Sequence, residues 1–247
     1  VLVKVDLRDP RVRVMVALAD DRDPDGDGPC VGQLETTSQV ARKHNFDITI
    51  NASFFAAPTP REVAGQKIRY FIGNCAWPQG WHFSAGKLYG KPKTASLRAT
   101  MVVHRNRTVS LHDALEVLPA DTEFAVSGNA MMLKNGTPTA PTVDLLRHPR
   151  SAVGLSADAQ TLFILAVDGR QETHSRGVTL SELANIFIQF GASNAINLDG
   201  GGSTSLVIKD LGSGAFAIAN QPSDASTLKL PLRFERPVVD VIGVRLQ

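Results

Sequence analysis

Short apolar runs separated by polar turns constrain the fold of this chain more than any other feature. Residues 150–170, RSAVGLSADAQTLFILAVDGR, are two apolar runs joined by a polar turn, the pattern of a β-hairpin. Further pairs of predicted strands are ATMVVHRN with RTVSLH and EFAVSG with NAMMLK, the last ending in an Asn-Gly turn. The sequence therefore predicts an α+β fold, with a mixed, largely antiparallel β-sheet core, a few packed helices and a single domain over residues 1–247.

Two segments have the pattern of helices. Residues 34–44, LETTSQVARKH, begin with hydroxyl side chains and continue with Val and Ala at helical spacing. TLSELANIFIQFGA starts with a capping box from Thr179 to Glu182, repeats apolar residues on one face and is closed by Gly191. The first helix leads into FDITINASFF, which is predicted to be a buried strand running into a turn.

Residues 57–93 differ from the rest of the chain because they are rich in Pro, Gly, Trp and His and have no clean period. They are predicted to form a long surface excursion, a kind of segment that often carries function.

Composition and charge exclude several classes of function. With 43% hydrophobic and 20% charged residues, the 247-residue chain is an ordinary globular sequence. A net charge of +2 without a run of basic residues argues against nucleic acid as a partner, and no apolar run approaches the roughly 20 residues of a membrane span. The chain begins with Val1, so a removed secretion signal stays open. The oligomeric state is not predicted.

The two cysteines, Cys30 and Cys75, lie in separate loop-like regions. Two cysteines are too few for a disulfide framework, and one disulfide and two free thiols both stay open.

The stretch NAINLDGGGSTSLVI contains the strongest candidate for chemistry. An apolar strand ends in Asp199, and Gly200, Gly201 and Gly202 follow it before Ser203. Consecutive glycines let a ligand approach main-chain N–H groups closely, which suits an anionic or polyhydroxylated ligand. A tight turn capped by its own aspartate is the simpler alternative, but the conformational entropy that three glycines cost favours function.

A second strand end has the same form. Asp168 follows the apolar run LFILAV and precedes Gly169 and Arg170. Asp-Gly is also an everyday hairpin turn. Two carboxylates at neighbouring strand ends are nevertheless what glycosyl transfer uses, one to activate water or stabilise a cation and one to manage the leaving group.

Other polar residues follow predicted strands or precede them. Asn51 ends a buried strand, Ser127 and Gly128 interrupt two strands, and Arg150 begins one. An arginine fork is suited to binding a phosphate. The simpler alternatives are that Asn51 only forms a turn, that Ser127 and Gly128 form a bulge, and that Arg150 lies in a solvated turn.

A metal site is not predicted. The acidic loop of residues 21–27, from Asp21 to Asp27, resembles the start of a calcium loop, but position twelve is Gly32 where a glutamate should close the site. Ca²⁺ there is disfavoured, and no cofactor is required.

Taken in order, INASFF, VSGNAMMLKNG, RHPRSAVG, AVDGR…GVTLSELA and AINLDGGGSTSLVI resemble the phosphodiester glycosidase family, and the similarity extends to both ends of the chain. The region from Pro58 to Lys93 is the least similar. The resemblance implies hydrolysis of a sugar 1-phosphodiester, of the N-acetylglucosamine type, to a free sugar and a phosphomonoester. It also implies a secreted, periplasmic or lumenal protein.

Position by position, the resemblance assigns one set of residues to the pocket: Asn51, Ser127, Gly128, Arg150, Asp168, Arg170, Asp199, Gly200, Gly201, Gly202 and Ser203. Among them, Asp199, Asp168 and Asn51 are the predicted catalytic residues. The predicted partner is a small-molecule or glycan phosphodiester. The alternatives are a phosphodiesterase that breaks the P–O bond and a sugar-phosphate or polysaccharide-binding domain without catalysis.

Overall fold

The computed structural model describes residues 1–20, 28, 30–58, 60–63, 65–139, 146–224 and 234–247. The first ten strands are, in chain order, β1 (Leu2–Asp6), β2 (Val12–Leu18), β3 (Gly32–Gln33), β4 (Ile48–Asn51), β5 (Phe55–Ala56), β6 (Arg61–Val63), β7 (Gln66–Ile68), β8 (Cys75–Pro78), β9 (His82–Ser84) and β10 (Lys87–Gly90). The following ones are β11 (Ala99–His104), β12 (Val109–His112), β13 (Thr122–Gly128), β14 (Ala130–Lys134), β15 (Thr137–Pro138), β16 (Arg150–Leu155), β17 (Thr161–Val167), β18 (Asn194–Asn197), β19 (Leu206–Lys209), β20 (Phe216–Ile218) and β21 (Asp240–Leu246).

Two α-helices lie within the described residues, α1 (Thr37–His44) and α2 (Leu180–Phe190). Both begin with a capping box. The hydroxyl of the N-cap threonine accepts from the N–H of the third helical residue, and the side chain of that residue, Gln39 or Glu182, accepts from the threonine N–H. Asn45 and Gly191 close α1 and α2 in the left-handed conformation. No helix among the described residues is both long enough and apolar enough to cross a bilayer.

Three large sheets contain most of the strands. Their spatial orders are β1-β17-β16-β18-β14-β15, β2-β21-β4-β19-β20 and β10-β9-β13-β11-β12. A small sheet β3-β8-β5 and the hairpin β6-β7 complete the described part. The predicted α+β character holds in its coarse form, as a strand-dominated protein with a few helices.

The inner faces of the three large sheets bury one shared core. Ile50, Met101 and Ile164, one from each sheet, are fully buried in this core. Helix α2 covers the outer face of the six-stranded sheet through Leu183 and Phe187. Helix α1 packs in the same way outside β2 and β21. The apolar side chains on the inner face of these sheets therefore pack in the shared core, and where a helix covers the outer face, the apolar side chains there pack against that helix.

The predicted mixed sheet is wrong for the described strands, because every described strand pair is antiparallel. Helix α2 does connect two strands of equal direction, β17 and β18. These strands flank β16, however, and each pairs with it in antiparallel register. The crossover therefore produces no parallel pair.

The surface excursion predicted at residues 57–93 is more ordered than its sequence pattern indicates. It contains β6 to β10, which are short strands of three or four residues. Cys75 of β8 forms a disulfide with Cys30, with 5.5 Å between the Cα atoms. Of the two alternatives that the sequence left open, the structure shows one disulfide rather than two free thiols.

Candidate active site

Asp199 lies at the end of β18, on main chain that is held from the side by β4. Its N–H donates to the Ala52 carbonyl oxygen at 2.9 Å, and its own carbonyl oxygen accepts from Asn51 Nδ2 at 2.7 Å. The residue itself is only half-buried. The fold therefore fixes the backbone of Asp199, while the residue as a whole keeps part of its surface exposed.

Asn51 joins three segments around this point. It is fully buried, and its Oδ1 accepts from Ser151 Oγ at 2.6 Å and from the Ser205 N–H at 3.2 Å. Together with the bond to Asp199, these contacts occupy both ends of the amide. Asn51, predicted as catalytic, is thus placed where it positions the Asp199 main chain.

The three glycines after Asp199 allow close approach on different sides of the turn. A Cβ on Gly200 would lie 2.5 Å from the Pro149 carbonyl oxygen. Gly201 has φ +63°, and a Cβ there would lie 3.0 Å from Arg170 Nη1. A Cβ on Gly202 would overlap Asp224 and Arg236. The bare turn is therefore what permits charged side chains to pack against its backbone.

Two arginine side chains pack against the turn, and a third arginine, Arg150, adjoins it through its main chain. Arg150 donates from Nε to the Val178 carbonyl oxygen at 3.3 Å. Arg170 is exposed and donates to His148 Nδ1 at 3.3 Å. Arg236 forms a two-point ion pair with Asp224, at 2.8 and 3.0 Å. Arg170 therefore supplies the positive charge beside the turn that an anion site requires.

Arg170 has a backbone conformation that is uncommon for its side chain. Its φ is +58°, in the left-handed region that a residue with a Cβ rarely adopts. Strained backbone of this kind concentrates at functional sites. At Arg170 the result is a guanidinium held against Gly201.

Burial raises the pKa of Asp199 to about 7. The negative charge of Asp240 also raises it, while the Ser203 hydroxyl, the Arg236 charge and the Gly200 N–H lower it. The Ser203 hydroxyl lies beside the carboxylate outside regular hydrogen-bond geometry, and among the described residues it has no other partner. Asp199 is thus poised to exchange a proton near neutral pH.

Asp168 has different surroundings at the end of β17. Its Oδ1 accepts from Asn220 Nδ2 at 3.0 Å and from the Gln221 N–H at 2.8 Å, and its Oδ2 pairs with His174 Nε2 at 2.9 Å. Asn220 Nδ2 also donates to the Thr204 carbonyl oxygen at 3.1 Å. The two predicted strand ends therefore meet, linked through Asn220.

Ser127 and Gly128 lie behind the site rather than on its surface. Ser127 is buried; its Oγ accepts from the Trp81 N–H and shares a hydrogen bond with Thr100 Oγ1, both at 2.9 Å. A Cβ on Gly128 would overlap the carbonyl oxygen of Asn197, the last residue of β18. Gly128 thus packs directly against the strand that leads to Asp199, whereas Ser127 bonds to Trp81 and to Thr100 of β11.

Sequence reasoning missed Arg236 and Asp224 as site residues. Both lie in the closing stretch NQPSDA…ERPVVDVIGV, whose similarity to the family was the one available signal. It also missed a buried pair behind Asp199, in which His82 Nδ1 and Asp240 Oδ2 are 2.6 Å apart. Ser53 binds the same carboxylate through its N–H at 2.7 Å and its hydroxyl at 2.6 Å.

Among the described residues, no group of three or more His, Cys, Asp or Glu side chains is arranged to hold a metal ion. The disfavoured calcium loop, residues 21–27, lies outside the described residues.

Solved structures resemble this chain over its whole length. The catalytic domain of zebrafish N-acetylglucosamine-1-phosphodiester alpha-N-acetylglucosaminidase, auto-inhibited by its pro-peptide, superposes with a TM-score of 0.65 at 20% identity. That match covers 100% of this chain and 88% of the other. A hypothetical protein from Synechocystis gives 0.58 at 16% identity, covering 100% and 59%. These likenesses show a shared fold.

Sequence comparison is more specific. The bovine and human proteins named N-acetylglucosamine-1-phosphodiester alpha-N-acetylglucosaminidase are 28% and 37% identical to this chain, each over 222 residues. Each alignment covers 82% of this chain and 38% of the relative, so the chain spans well under half the length of these relatives. Residues 44–245 match the family described as phosphodiester glycosidase, and the chain belongs to that family.

Proposed function

We propose that this protein hydrolyses a sugar 1-phosphodiester at the glycosidic C–O bond and releases the free sugar and a phosphomonoester. The observation that carries the proposal is the pairing of Asp199, with a pKa of about 7, with a glycine turn packed by arginines. A carboxyl group that titrates near neutrality serves proton transfer. Membership of the phosphodiester glycosidase family supports the same reaction.

In the proposed reaction the anomeric C–O bond breaks and its electron pair leaves on the phosphate oxygen. A phosphomonoester is a weak base, so the leaving group needs charge neutralisation more than protonation. Arg170, whose guanidinium lies against Gly201, is positioned to supply that charge, and we propose Arg150, whose main chain adjoins Gly200, as a second source. The Gly201 N–H already donates to the Pro149 carbonyl oxygen and the Ser203 N–H to the Gly200 carbonyl oxygen, so we assign the phosphate to the arginines rather than to the main chain of the turn.

Asp199 supplies the carboxylate at the anomeric carbon, either as the base that takes a proton from the attacking water or as the nucleophile. In either case the water oxygen ends on the sugar. Asp168 has three donors on its carboxylate and ties the two strand ends together. We therefore propose that Asp168 holds the two strand ends together. Its negative charge also stabilises the positive charge that develops on the sugar.

We propose N-acetylglucosamine 1-phosphodiesters as the first substrates to examine, because the bovine and human relatives are named for that linkage. We also propose an exported location. The Cys30–Cys75 disulfide suits an oxidising compartment, and one structural neighbour is a putative exported protein of Burkholderia pseudomallei.

Hydrolysis in ¹⁸O water tests the proposal. The phosphomonoester product is analysed by mass spectrometry, since phosphate oxygens do not exchange under mild conditions whereas the C1 oxygen of a free sugar does. Unlabelled phosphate with release of sugar is expected. Labelled phosphate would favour a phosphodiesterase, and binding without turnover would favour a non-catalytic domain. The Asp199→Asn variant controls for a contaminating hydrolase.

A further inference from the structure

The glycine turn has two sides with different chemistry. On the Gly201 side, the one partner of the Arg170 side chain among the described residues is the His148 ring, and no carboxylate neutralises it there. On the Gly202 side, Arg236 is neutralised by its two-point pair with Asp224. Only the first side therefore presents an uncompensated positive charge.

An aromatic ring covers the neutral side. Arg236 Cζ lies 4.3 Å from the centroid of the Tyr70 ring, a cation–π contact. Phe55 meets the same ring edge-on, with 5.6 Å between centroids. Tyr70 nevertheless keeps 39% of its surface exposed. The ring is thus held in place by two neighbours and still available to a ligand.

The segment that carries Tyr70 is anchored on both sides of the ring. Asn74 Nδ2 donates to the Arg69 carbonyl oxygen at 2.6 Å, and the Asn74 N–H donates to the Phe71 carbonyl oxygen at 3.1 Å. The next residue, Cys75, is disulfide-bonded to Cys30. A preorganised aromatic surface loses little entropy when a ligand binds.

We propose that Tyr70, Arg236 and Asp224 form the sugar subsite and that Arg170 marks the phosphate subsite, so that the substrate lies across the glycine turn. This assignment rests on the proposed function. A pyranose presents C–H groups, which pack on an aromatic ring, and hydroxyls, which bond to a guanidinium and a carboxylate. The phosphodiester anion is drawn to the unneutralised arginine instead. Asp199 directly precedes the turn, and the charge of Arg236 lowers its pKa.

Binding of the two halves of the substrate, measured separately, tests the assignment. The probes are free N-acetylglucosamine and inorganic phosphate, titrated into the full chain and followed by ¹H–¹⁵N NMR. Tyr70→Ala should weaken sugar binding about tenfold and leave phosphate binding within about twofold. Arg170→Ala should do the reverse. Thermal melts establish that each variant is folded.

Two matched variants isolate the ring. Tyr70→Phe keeps the aromatic surface and should keep sugar binding, whereas Tyr70→Leu keeps apolar volume without a ring and should behave like Tyr70→Ala. Equal weakening of both probes by Tyr70→Ala, no weakening of either, or no sugar binding to the parent protein would overturn the assignment.

The same variants separate this assignment from the proposed function. A parent protein that binds the sugar through Tyr70 but hydrolyses no diester would refute the reaction alone. A parent that hydrolyses the diester, with unchanged KM and unchanged sugar affinity in Tyr70→Ala, would refute the subsite alone.

Discussion

Asp168 and Asp199 each follow a buried strand and precede a glycine, yet their carboxylates have different partners. Asp168 accepts from a backbone N–H and an asparagine amide and pairs with a histidine. Asp199 has its backbone fixed, while its carboxylate is desolvated and has a pKa of about 7. The same local motif thus places one aspartate in a network of three hydrogen bonds and the other in surroundings that raise its pKa, because long-range contacts decide which donors reach each carboxylate.

Replacing each aspartate by asparagine should affect different properties: activity for Asp199 and stability for Asp168. Asp199→Asn removes the group that exchanges a proton, so kcat/KM on a sugar 1-phosphodiester should fall by at least about 10³-fold. The melting temperature should not drop by more than a few degrees, since no donor is left unpaired. Steady-state kinetics and thermal melts measure both. A variant as active as the parent would remove Asp199 from the mechanism.

Asp168→Asn should instead lower stability. A neutral amide accepts more weakly than a carboxylate from Asn220 and the Gln221 N–H and loses the charge that pairs with His174, which should cost about 1–3 kcal/mol. Denaturant unfolding measures this loss. Asp158→Asn is the matched control, because Asp158 accepts from the Gln160 N–H and the Ser156 hydroxyl on the exposed surface. Its stability should stay close to that of the parent. Equal losses in both variants would contradict a structural role for Asp168.

The fold was predictable where the pattern is local. The β16–β17 hairpin and helix α2 with its capping box are set by residues close in sequence, and both are confirmed. The pairing of β4 with β19 and β21 was not predictable, because it joins residues about 150 to 200 positions apart whose apolar alternation fits many partners. The strands within residues 57–93 are too short to show a period.

The candidate site likewise has residues that could be predicted from the sequence and residues that could not. Asp199 and its glycines are recognisable because strand, acid and glycines are adjacent in sequence. The positioning role of Asn51 is invisible in sequence, since its partners Ser151, Asp199 and Ser205 are distant along the chain. Tyr70 and Arg236 come from segments without periodicity and meet only through tertiary packing.

The pH dependence of stability gives the sharpest test of the contrast. The pKa of Asp199 is about 7 in the folded chain and about 3.8 when unperturbed, so between these values the folded state holds a proton that the unfolded state has lost. The free energy of unfolding should therefore fall as pH rises from about 4 to about 7, by at most about 1.4 kcal/mol per pH unit. Partial exposure of Asp199 reduces the slope.

Asp199→Asn removes this titration, so the variant should become more stable relative to the parent as pH rises through the same range. Denaturant unfolding of both proteins at several pH values isolates the contribution of Asp199, because all other groups cancel in the difference. A stability difference that stays constant with pH would mean that water solvates the Asp199 carboxylate. In that case its surroundings would not distinguish it from an ordinary surface aspartate, and the division between a structural and a reactive acid would fail.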